Sequence, residues 1–203
     1  MDTEITVVPR KKLFKNIEPP DGFTTENAEN FLEIIRKEHK FADRKKSENR
    51  PELKQIIPYI LVAHIPPDKP DKYVFLMHRS QRQDEERLRD LYSIGVGGHL
   101  NPQLDSKEDL IASGLKRELN EELVINTNYR LKLIGCINDD SNSVGQVHFG
   151  LAYTAFVQTP DVRVREEDLM SGSFATLKEV ESIYPSMETW SQIVFRNIDA
   201  FLK

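Results

Sequence analysis

The sequence predicts an α/β fold, specifically an α/β/α sandwich in which a mixed β-sheet lies between helices. Two apolar segments, residues 55–64 and 72–79, flank the turn-forming stretch PPDKPD and are typical of neighbouring strands. Residues 145–157 alternate apolar and polar side chains, which predicts a strand with one buried face. Between these segments, residues 106–123 repeat apolar side chains at helical spacing. Strands and helices that follow one another in this way favour helices packed on a sheet.

The N-terminal quarter is predicted to be an extension, residues 1–50, packed on a main domain formed by residues 51–203. Within the extension, residues 4–10 have the composition of a short strand, and residues 25–41 carry apolar side chains at helical spacing. The stretch 42–52 is charged and loop-like, and for this reason the boundary is placed there.

The remaining elements follow the same patterns. Residues 91–100 predict a short strand that ends in two glycines, and residues 129–137 predict a longer apolar strand. Thr176 followed by Glu179 is the signature of a capping box at the start of a short helix. Apolar side chains at every third or fourth position predict one C-terminal helix over residues 187–201.

Composition narrows the functional class. The formal net charge of −5 argues against a general nucleic-acid-binding protein, which usually carries a basic stripe. The single cysteine, Cys136, excludes an internal disulfide framework and fits a reducing compartment. No apolar run approaches the ~18 residues of a membrane-spanning helix, and the N-terminus lacks the apolar segment of a secretory signal. We therefore expect a cytoplasmic protein without membrane association.

The segment RELNEEL places three carboxylates, those of Glu118, Glu121 and Glu122, close together on the predicted helix. Ser106 is predicted to cap this helix, with Asp109 completing a capping box. At ~100° per residue, Glu122 falls inside the apolar stripe, Glu118 lies on its edge and Glu121 lies beyond it. An ionised carboxylate that faces a core is costly unless it is paired. Bound divalent cations would offset this cost, and oxygen ligands suit Mg²⁺ or Mn²⁺; a solvated acidic face is the alternative.

Together with the upstream glycines, this segment closely resembles the Nudix box, the signature of the Nudix hydrolase family. Residues 117–122, RELNEE, match its Arg-Glu-aliphatic-x-Glu-Glu core, and Asp109 stands where the family has its first glutamate. Ten residues separate Gly98 from Asp109, so the loop HLNPQLDSKE carries an insertion relative to the family. Val124 replaces the glycine that the family places after the helix. The resemblance covers residues 55–203 and implies the Nudix α/β/α sandwich.

The resemblance also implies an activity. Nudix enzymes use divalent cations to hydrolyse a pyrophosphate linkage in a small molecule, a nucleoside diphosphate joined to another moiety. Carried over by position, Glu118, Glu121 and Glu122 are ligands of Mg²⁺ or Mn²⁺. Glu118 and Glu122 are thereby catalytic, with Glu118 also acting as base, directly or by orienting the water. Arg117 is expected to orient the carboxylates through salt bridges.

Candidates outside the acidic segment supply substrate contacts and a further base. Gly97 and Gly98 allow the backbone to approach a phosphate closely, and His99 adjoins them. Glu166 and Glu167 precede the last predicted strand and are candidates for an additional base or metal ligand. Four arginines cluster before the glycines, where a solvated surface is favoured over phosphate binding: Arg79, Arg82, Arg87 and Arg89.

Two other functions are weighed against the hydrolase. A catalytically silent Nudix-like sensor would bind a nucleotide or sugar nucleotide, but it would not need all three glutamates. An isopentenyl diphosphate isomerase shares the fold and requires a cysteine and a glutamate that face each other across a pocket. Cys136 lies in an apolar strand without a supporting motif, which disfavours the isomerase. The extension over residues 1–50 is compatible with a homodimer.

Overall fold

The structure is a computed structural model that describes residues 4–80, 89–106 and 108–203. It confirms the α/β class, because strands and helices alternate along the chain and ten of the described strands join one sheet. A separate pair of short strands forms a second sheet.

The strands of the described residues, in chain order, are β1 (Glu4–Pro9), β2 (Gly22–Thr24), β3 (Lys40–Asp43), β4 (Leu53–His64), β5 (Tyr73–Arg79), β6 (Tyr92–Ser93), β7 (Gly95–Gly97), β8 (Leu123–Ile125), β9 (Tyr129–Asn138), β10 (His148–Val157), β11 (Val162–Val164) and β12 (Met170–Thr176). The helices are α1 (Arg10–Leu13), α2 (Ala28–Glu38), α3 (Arg44–Ser47), α4 (Leu110–Glu122), α5 (Ser143–Val147), α6 (Leu177–Ser182), α7 (Thr189–Arg196) and α8 (Ile198–Phe201).

The large sheet follows the strand order β12-β5-β4-β10-β9-β2, with β1 paired to both β3 and β4, β6 paired to β5 and β7 paired to β4. Strands β8 and β11 form the small sheet. Strand β12 pairs with β5 in an antiparallel register that sets Met170 opposite Arg79 and Thr176 opposite Tyr73. This register fixes Arg79, the last residue of β5, beside the start of β12.

The chain divides into two compact units. The described residues of Met1–Tyr59, Gly97–Arg117 and Leu133–Ala152 form the first unit. Those of Ile60–Val96, Glu118–Lys132 and Tyr153–Lys203 form the second unit. Strands β4, β9 and β10 and helix α4 each contribute residues to both units.

The first unit is built around an aromatic cluster. The rings of Phe31 and Phe149 lie 5.1 Å apart, and Phe14 packs edge-on against both. Strand β1 lies on β4 with Val7 opposite Gln55. The residues that precede the predicted boundary are thus paired with those that follow it. The division into an extension and a main domain stays a prediction.

A partly buried ionic network within the first unit joins Arg10, the first residue of α1, to Asp140 and Lys54. Arg10 forms an ion pair with Asp140, with one hydrogen bond from Nη1 at 2.8 Å. The fully buried Lys54 donates from Nζ to the Asp140 carboxylate at 2.9 Å and to two backbone carbonyls. These cations hold the pKa of Asp140 well below its usual range, Arg10 contributing most.

The second unit contains the C-terminal elements. Phe174 on β12 packs edge-to-face on Phe75 of β5, with ring centroids 5.3 Å apart. Helix α6 begins with the predicted capping box, which is confirmed: the Thr176 hydroxyl accepts the Glu179 N–H, and the Glu179 carboxylate accepts the Thr176 N–H.

Two predicted boundaries around the glycines and acids were wrong. Ser106 does not cap the acidic helix, which begins at Leu110; the Asp109 carboxylate accepts the Ala112 N–H at 3.1 Å and caps it instead. The predicted strand from residue 145 begins only at His148. Residues 143–147 form helix α5, whose first turn is capped by the Asn142 side chain.

Three further elements differ in extent. Helix α2 is shorter than predicted at both ends, because Asn27 before it has a positive φ of 59° and His39 after it has an extended backbone. The strand expected over residues 91–100 is split into β6 and β7, where Ser93 Oγ donates to the Gly95 carbonyl at 2.8 Å. The C-terminal helix breaks at Asn197, whose side chain donates to the Ile193 carbonyl.

Candidate functional site

The three box carboxylates lie in the last turns of helix α4, within the second unit. Glu118 is only 6% exposed, Glu122 is half-buried and Glu121 is exposed. The helical positions of these residues predicted that Glu122 would be more deeply buried than Glu118, and this prediction was wrong. Gly114 is also buried, so the buried face extends further to the Glu118 side than the apolar residues alone indicate.

The C-terminal end of α4 is capped by an arginine rather than by a glycine. The backbone N–H of Arg165 donates to the Glu122 carbonyl at 2.8 Å. Its guanidinium donates to the Asn120 carbonyl at 2.5 Å and to the Leu123 carbonyl at 3.1 Å. The helix passes directly into β8, where Val124 pairs with Arg163 of β11. A β-branched residue suits that strand, so no left-handed glycine is needed at this helix end.

Burial and neighbouring charges both act on the Glu122 carboxyl group. Burial raises the pKa of its carboxyl group above the ordinary value. Arg79 opposes this rise, whereas the neighbouring charges of Glu166, Glu121 and Glu188 add to it. The charges of Arg79, Glu166, Glu121 and Glu188 therefore all act on the Glu122 carboxyl group.

Arg79 and Glu188 form an ion pair beside these acids. Arg79 Nε donates to Glu188 Oε1 at 2.5 Å, and the side chains are only 17% and 14% exposed. The expectation of a solvated surface was therefore wrong for Arg79, while Arg89 is exposed. Arg82 and Arg87 lie outside the described residues.

Both extra-base candidates, Glu166 and Glu167, are exposed. Glu166 is among the charges that act on Glu122. Its carbonyl accepts the N–H groups of Leu169 and Met170, each at 3.0 Å, which closes a tight turn before β12. Glu167 is exposed and pairs with Arg163 at 3.4 Å. The role of either residue as an additional base or metal ligand stays a prediction.

The glycines and His99 lie in or beside the first unit's part of the sheet. A Cβ on Gly97 would approach the Pro58 carbonyl oxygen to 2.7 Å, so close backbone packing alone requires a glycine there. Gly98 follows directly and leads into His99. The predicted substrate role of these three residues stays a prediction.

His99 is held by other polar side chains. Its Nε2 lies 2.7 Å from Gln55 Oε1 and 3.3 Å from His148 Nε2. His148 Nδ1 lies 2.7 Å from the Val144 carbonyl, so Nδ1 carries the proton and Nε2 accepts. Burial lowers the pKa of His99 to about 3, with Arg44 contributing to the same effect. His99 is therefore a neutral hydrogen-bonding group at neutral pH.

Arg117 pairs with a residue of the inserted loop. Its guanidinium contacts both carboxylate oxygens of Asp105 and donates to the His99 carbonyl at 2.8 Å. Leu100, fully buried, and Asp105 both lie against Gly114, where an added Cβ would meet Leu100 Cδ2 at 2.2 Å. The insertion is thus packed onto the helix, and the predicted orientation of the box carboxylates by Arg117 stays a prediction.

Comparison with known proteins places this arrangement in a family. No protein-family model matches the chain. Protein YmaB of Bacillus subtilis (strain 168) is 34% identical over 205 residues, which cover 96% of this chain and 96% of YmaB. The crystal structure of Tm1382, a protein classed with the Nudix hydrolases, aligns with a TM-score of 0.79 at 28% identity and covers 96% of this chain and 97% of its own. The chain belongs to the Nudix hydrolase family.

A more distant Nudix structure shares the fold. The Nudix domain of NrtR from Shewanella oneidensis, solved in complex with ADP ribose, aligns with a TM-score of 0.54 at 13% identity. It covers 72% of this chain and 85% of its own. The predicted Nudix α/β class is confirmed, and family membership assigns the chain to a class of hydrolases that act on small molecules. No helix among residues 4–80, 89–106 and 108–203 has the length and apolarity needed to cross a membrane.

The residues of the Nudix box fit a hard divalent cation in chemistry and charge. Glu118, Glu121 and Glu122 offer carboxylate oxygens, the ligands that Mg²⁺ and Mn²⁺ prefer. Burial raises the pKa of the half-buried Glu122, and a bound cation would offset the cost of its charge. Among the described residues, no three histidine, cysteine, aspartate or glutamate side chains already converge as a metal-binding group. Rotation of the glutamate side chains would be part of metal binding.

Several residues of this region were missed by sequence analysis. Asp105, Arg165 and Glu188 each make contacts that stabilise the helix or its charged surroundings. One signal was available for Arg165, because a chain that lacks the family glycine needs another partner for its last helical carbonyls. The sequence carries no comparable signal for Asp105 or Glu188.

Proposed function

We propose that this Nudix protein is a divalent-metal-dependent pyrophosphohydrolase that cleaves the diphosphate of a nucleoside diphosphate linked to another moiety. The observation that supports it most is the burial of Glu118 in the same helix end as the half-buried Glu122. Both carboxylates stand within RELNEE, the segment that matches the core of the family's box. A solvated acidic face would not bury them.

Different residues of the chain have different roles in the proposed reaction. Glu118, Glu121 and Glu122 would hold Mg²⁺ or Mn²⁺, which when bound neutralises the diphosphate, polarises phosphorus and lowers the pKa of a bound water. A carboxylate oxygen of Glu118 or Glu166 accepts the proton of the attacking water. The water oxygen then forms the new bond to phosphorus while the bridging phosphorus–oxygen bond breaks, so each product leaves with a phosphate. Gly97, Gly98 and His99 are proposed to contact the substrate.

The test is an assay against a panel of nucleoside diphosphate compounds with Mg²⁺ or Mn²⁺. Glu122→Gln should remain folded and lose at least ~10²-fold in kcat/KM because a metal ligand is removed. Glu166→Gln should also lose activity, whereas Glu167→Gln is the matched control and should retain it. Near-normal turnover by Glu122→Gln at saturating metal would contradict the assignment.

A silent sensor is the second candidate, because the NrtR Nudix domain that shares this fold was solved with ADP ribose. Micromolar binding of a panel compound without turnover in either metal would favour it. The isomerase is disfavoured, since Cys136 is fully buried and burial raises the pKa of its thiol above the usual value. A Cys136→Ala variant that retains hydrolysis would exclude a role for this thiol.

A further inference from the structure

Two polar side chains of the first unit form hydrogen bonds with one nitrogen of the His99 ring. His99 Nε2 lies 2.7 Å from Oε1 of the fully buried Gln55 and 3.3 Å from Nε2 of His148. Gln55 belongs to β4, and His148 is the first residue of β10. All three residues belong to the first unit. Both contacts therefore involve Nε2, and neither involves the other ring nitrogen, Nδ1.

These contacts fix which nitrogen of His99 carries the proton. His148 Nδ1 lies 2.7 Å from the Val144 carbonyl, which can only accept, so Nδ1 carries the proton of the neutral His148 ring and Nε2 accepts. Gln55 Oε1 is also an acceptor. His99 Nε2 faces two acceptors and therefore carries the proton of its own ring. Nδ1 of the neutral His99 ring is left with a lone pair and no hydrogen.

His99 Nδ1 is available to a ligand. Within residues 4–80, 89–106 and 108–203 it has no hydrogen-bond partner, and it is not one of the buried unpaired side-chain atoms there. Nδ1 is therefore reached by solvent. The backbone on either side of the ring contact is held, because the His99 carbonyl accepts from Arg117 at 2.8 Å and the His148 carbonyl accepts from Lys54 at 3.1 Å.

A lone pair at Nδ1 restricts the groups that His99 can bind. The ring stays neutral around pH 7, because burial chiefly lowers its pKa to about 3. Hydroxyl and amino groups donate hydrogen bonds and therefore suit Nδ1. An ionised phosphate oxygen only accepts, so it does not. His99 is thus complementary to the part of a nucleotide compound that lies outside its phosphates.

We propose that His99 is a specificity-determining residue whose Nδ1 accepts a hydrogen bond from a hydroxyl or amino group of the substrate outside the diphosphate. The inference rests on the proposed function, in which Gly97, Gly98 and His99 contact a nucleoside diphosphate compound. Gln55 and His148 are positioning residues, since they act by keeping the proton on Nε2. An analogue that lacks the donor leaves Nδ1 unpaired and is disfavoured.

The first test is kinetic and uses pairs of nucleoside diphosphate sugars that differ by one donor. The pairs remove the ribose 2′-hydroxyl, the ribose 3′-hydroxyl, the adenine amino group or one hydroxyl of the attached sugar. Wild type with Mn²⁺ should prefer the donor-bearing member of at least one pair by about 3- to 10-fold in kcat/KM. The pair that shows the preference identifies which part of the substrate His99 contacts.

Two substitutions of His99 separate its ring nitrogens. His99→Gln keeps a donor near the position of Nε2 but lacks an acceptor at Nδ1, so the preference should fall close to 1. His99→Asn keeps an acceptor at the position of Nδ1 and should retain the preference within about 2-fold. The loss in His99→Gln should lie in KM rather than in kcat, because the bond is made outside the reacting diphosphate.

His39→Gln is the matched control. His39 is a half-buried histidine of the same unit, and its Nδ1 lies 3.1 Å from the Ile35 carbonyl and 3.0 Å from the Arg36 carbonyl. The substitution should therefore leave the preference unchanged.

The second test needs no activity. Nitrogen NMR at pH ~8, above the ordinary histidine range, should show the His99 ring protonated at Nε2 and unprotonated at Nδ1. The His99 signals are assigned by their absence in His99→Asn. Addition of the preferred sugar nucleotide without metal should shift the Nδ1 signal of His99, while its partner that lacks the donor should not.

A proton on Nδ1, or the same preference in wild type and His99→Gln, would overturn the inference. If His99→Gln is unfolded by circular dichroism, the decision passes to wild type and His99→Asn. Wild type must then show a preference of at least about 3-fold, and His99→Asn must retain it. The proposed function fails differently, because no compound of the panel is then hydrolysed with either metal. That result would remove the specificity role as well, whereas a failure confined to His99 would leave the hydrolase assignment intact.

Discussion

Arg117 donates two hydrogen bonds to the carboxylate of Asp105, from Nε to Oδ1 at 2.8 Å and from Nη2 to Oδ2 at 3.1 Å. Arg117 belongs to the Nudix box, whereas Asp105 lies in the loop inserted between Gly98 and Asp109. The Asp105 side chain has no exposed surface, and its Oδ2 also accepts the Asn101 N–H at 2.7 Å. A bidentate pair of this kind combines charge with a defined geometry. The Asp105–Arg117 ion pair therefore attaches the inserted loop to the Nudix box.

Asp105→Asn should destabilise the fold, because the largely buried ion pair between Asp105 and Arg117 is lost. We expect the free energy of unfolding to fall by about 3 kcal/mol and Tm to fall by about 6–12 °C for a chain of this size. Urea unfolding and thermal melts measure both quantities. Glu108→Gln is the control, since Glu108 is an exposed acid of the same loop and should change stability by less than ~0.5 kcal/mol. Equal effects of the two substitutions would show that the ion pair does not anchor the loop.

Arg165→Met should loosen the C-terminal end of α4. The substitution removes the guanidinium's hydrogen bonds to the carbonyls of Asn120, in the helix, and Leu123, the first residue of β8, while the backbone N–H bond to Glu122 remains. Loss of a helix cap costs about 1–2 kcal/mol. Arg163→Met is the matched control, because the described partner of Arg163 is Glu167 on an exposed surface, and such pairs are worth little. Denaturant unfolding of both variants should separate them, and similar losses would argue against the capping role.

Local patterns were enough to predict much of this fold. The strands β4 and β5 and the capping box of α6 follow from residue spacing and from turn chemistry within a few positions. The box in α4 could be found for the same reason, because its residues share one helix. The predicted bounds of an element were wrong where a side chain forms a hydrogen bond with the nearby backbone. Asn142 does so at the start of α5, where its side chain accepts the Gly145 N–H.

Contacts between distant segments could not be predicted. Arg79 and Glu188 are 109 residues apart, and Arg117 and Asp105 are 12 apart without a shared element. Their meeting depends on strand order and register, which no local pattern encodes. The depth of Glu118 was misjudged for a related reason: a buried glycine widens the packed face of a helix without adding an apolar side chain.

His99 should make the protein sensitive to mild acid. Its pKa is lowered to about 3 in the folded state, chiefly by burial, whereas an unfolded histidine titrates near ~6.5. Protonation therefore favours the unfolded chain, and stability present above pH ~6.5 is lost as the pH falls toward 3. Between pH 7 and 5, wild type should lose about 2 kcal/mol more than His99→Gln. Urea unfolding at both pH values gives this difference, and an identical pH dependence in the two proteins would refute the burial of a neutral His99.

Metal should stabilise the fold through the box glutamates. A cation that binds only the native site contributes about 2.7 kcal/mol at ~100 times its Kd, which corresponds to a rise in Tm of about 5–10 °C. Glu118→Gln/Glu122→Gln should lose most of this response. The double variant should also exceed wild type in chelator at neutral pH. The pKa of Glu122 is raised by burial, so its ionised form destabilises the native state as pH rises through that pKa. Melting curves in chelator and in millimolar Mn²⁺ test both points, and an equal metal-induced shift in the two proteins would mean that the cation binds elsewhere.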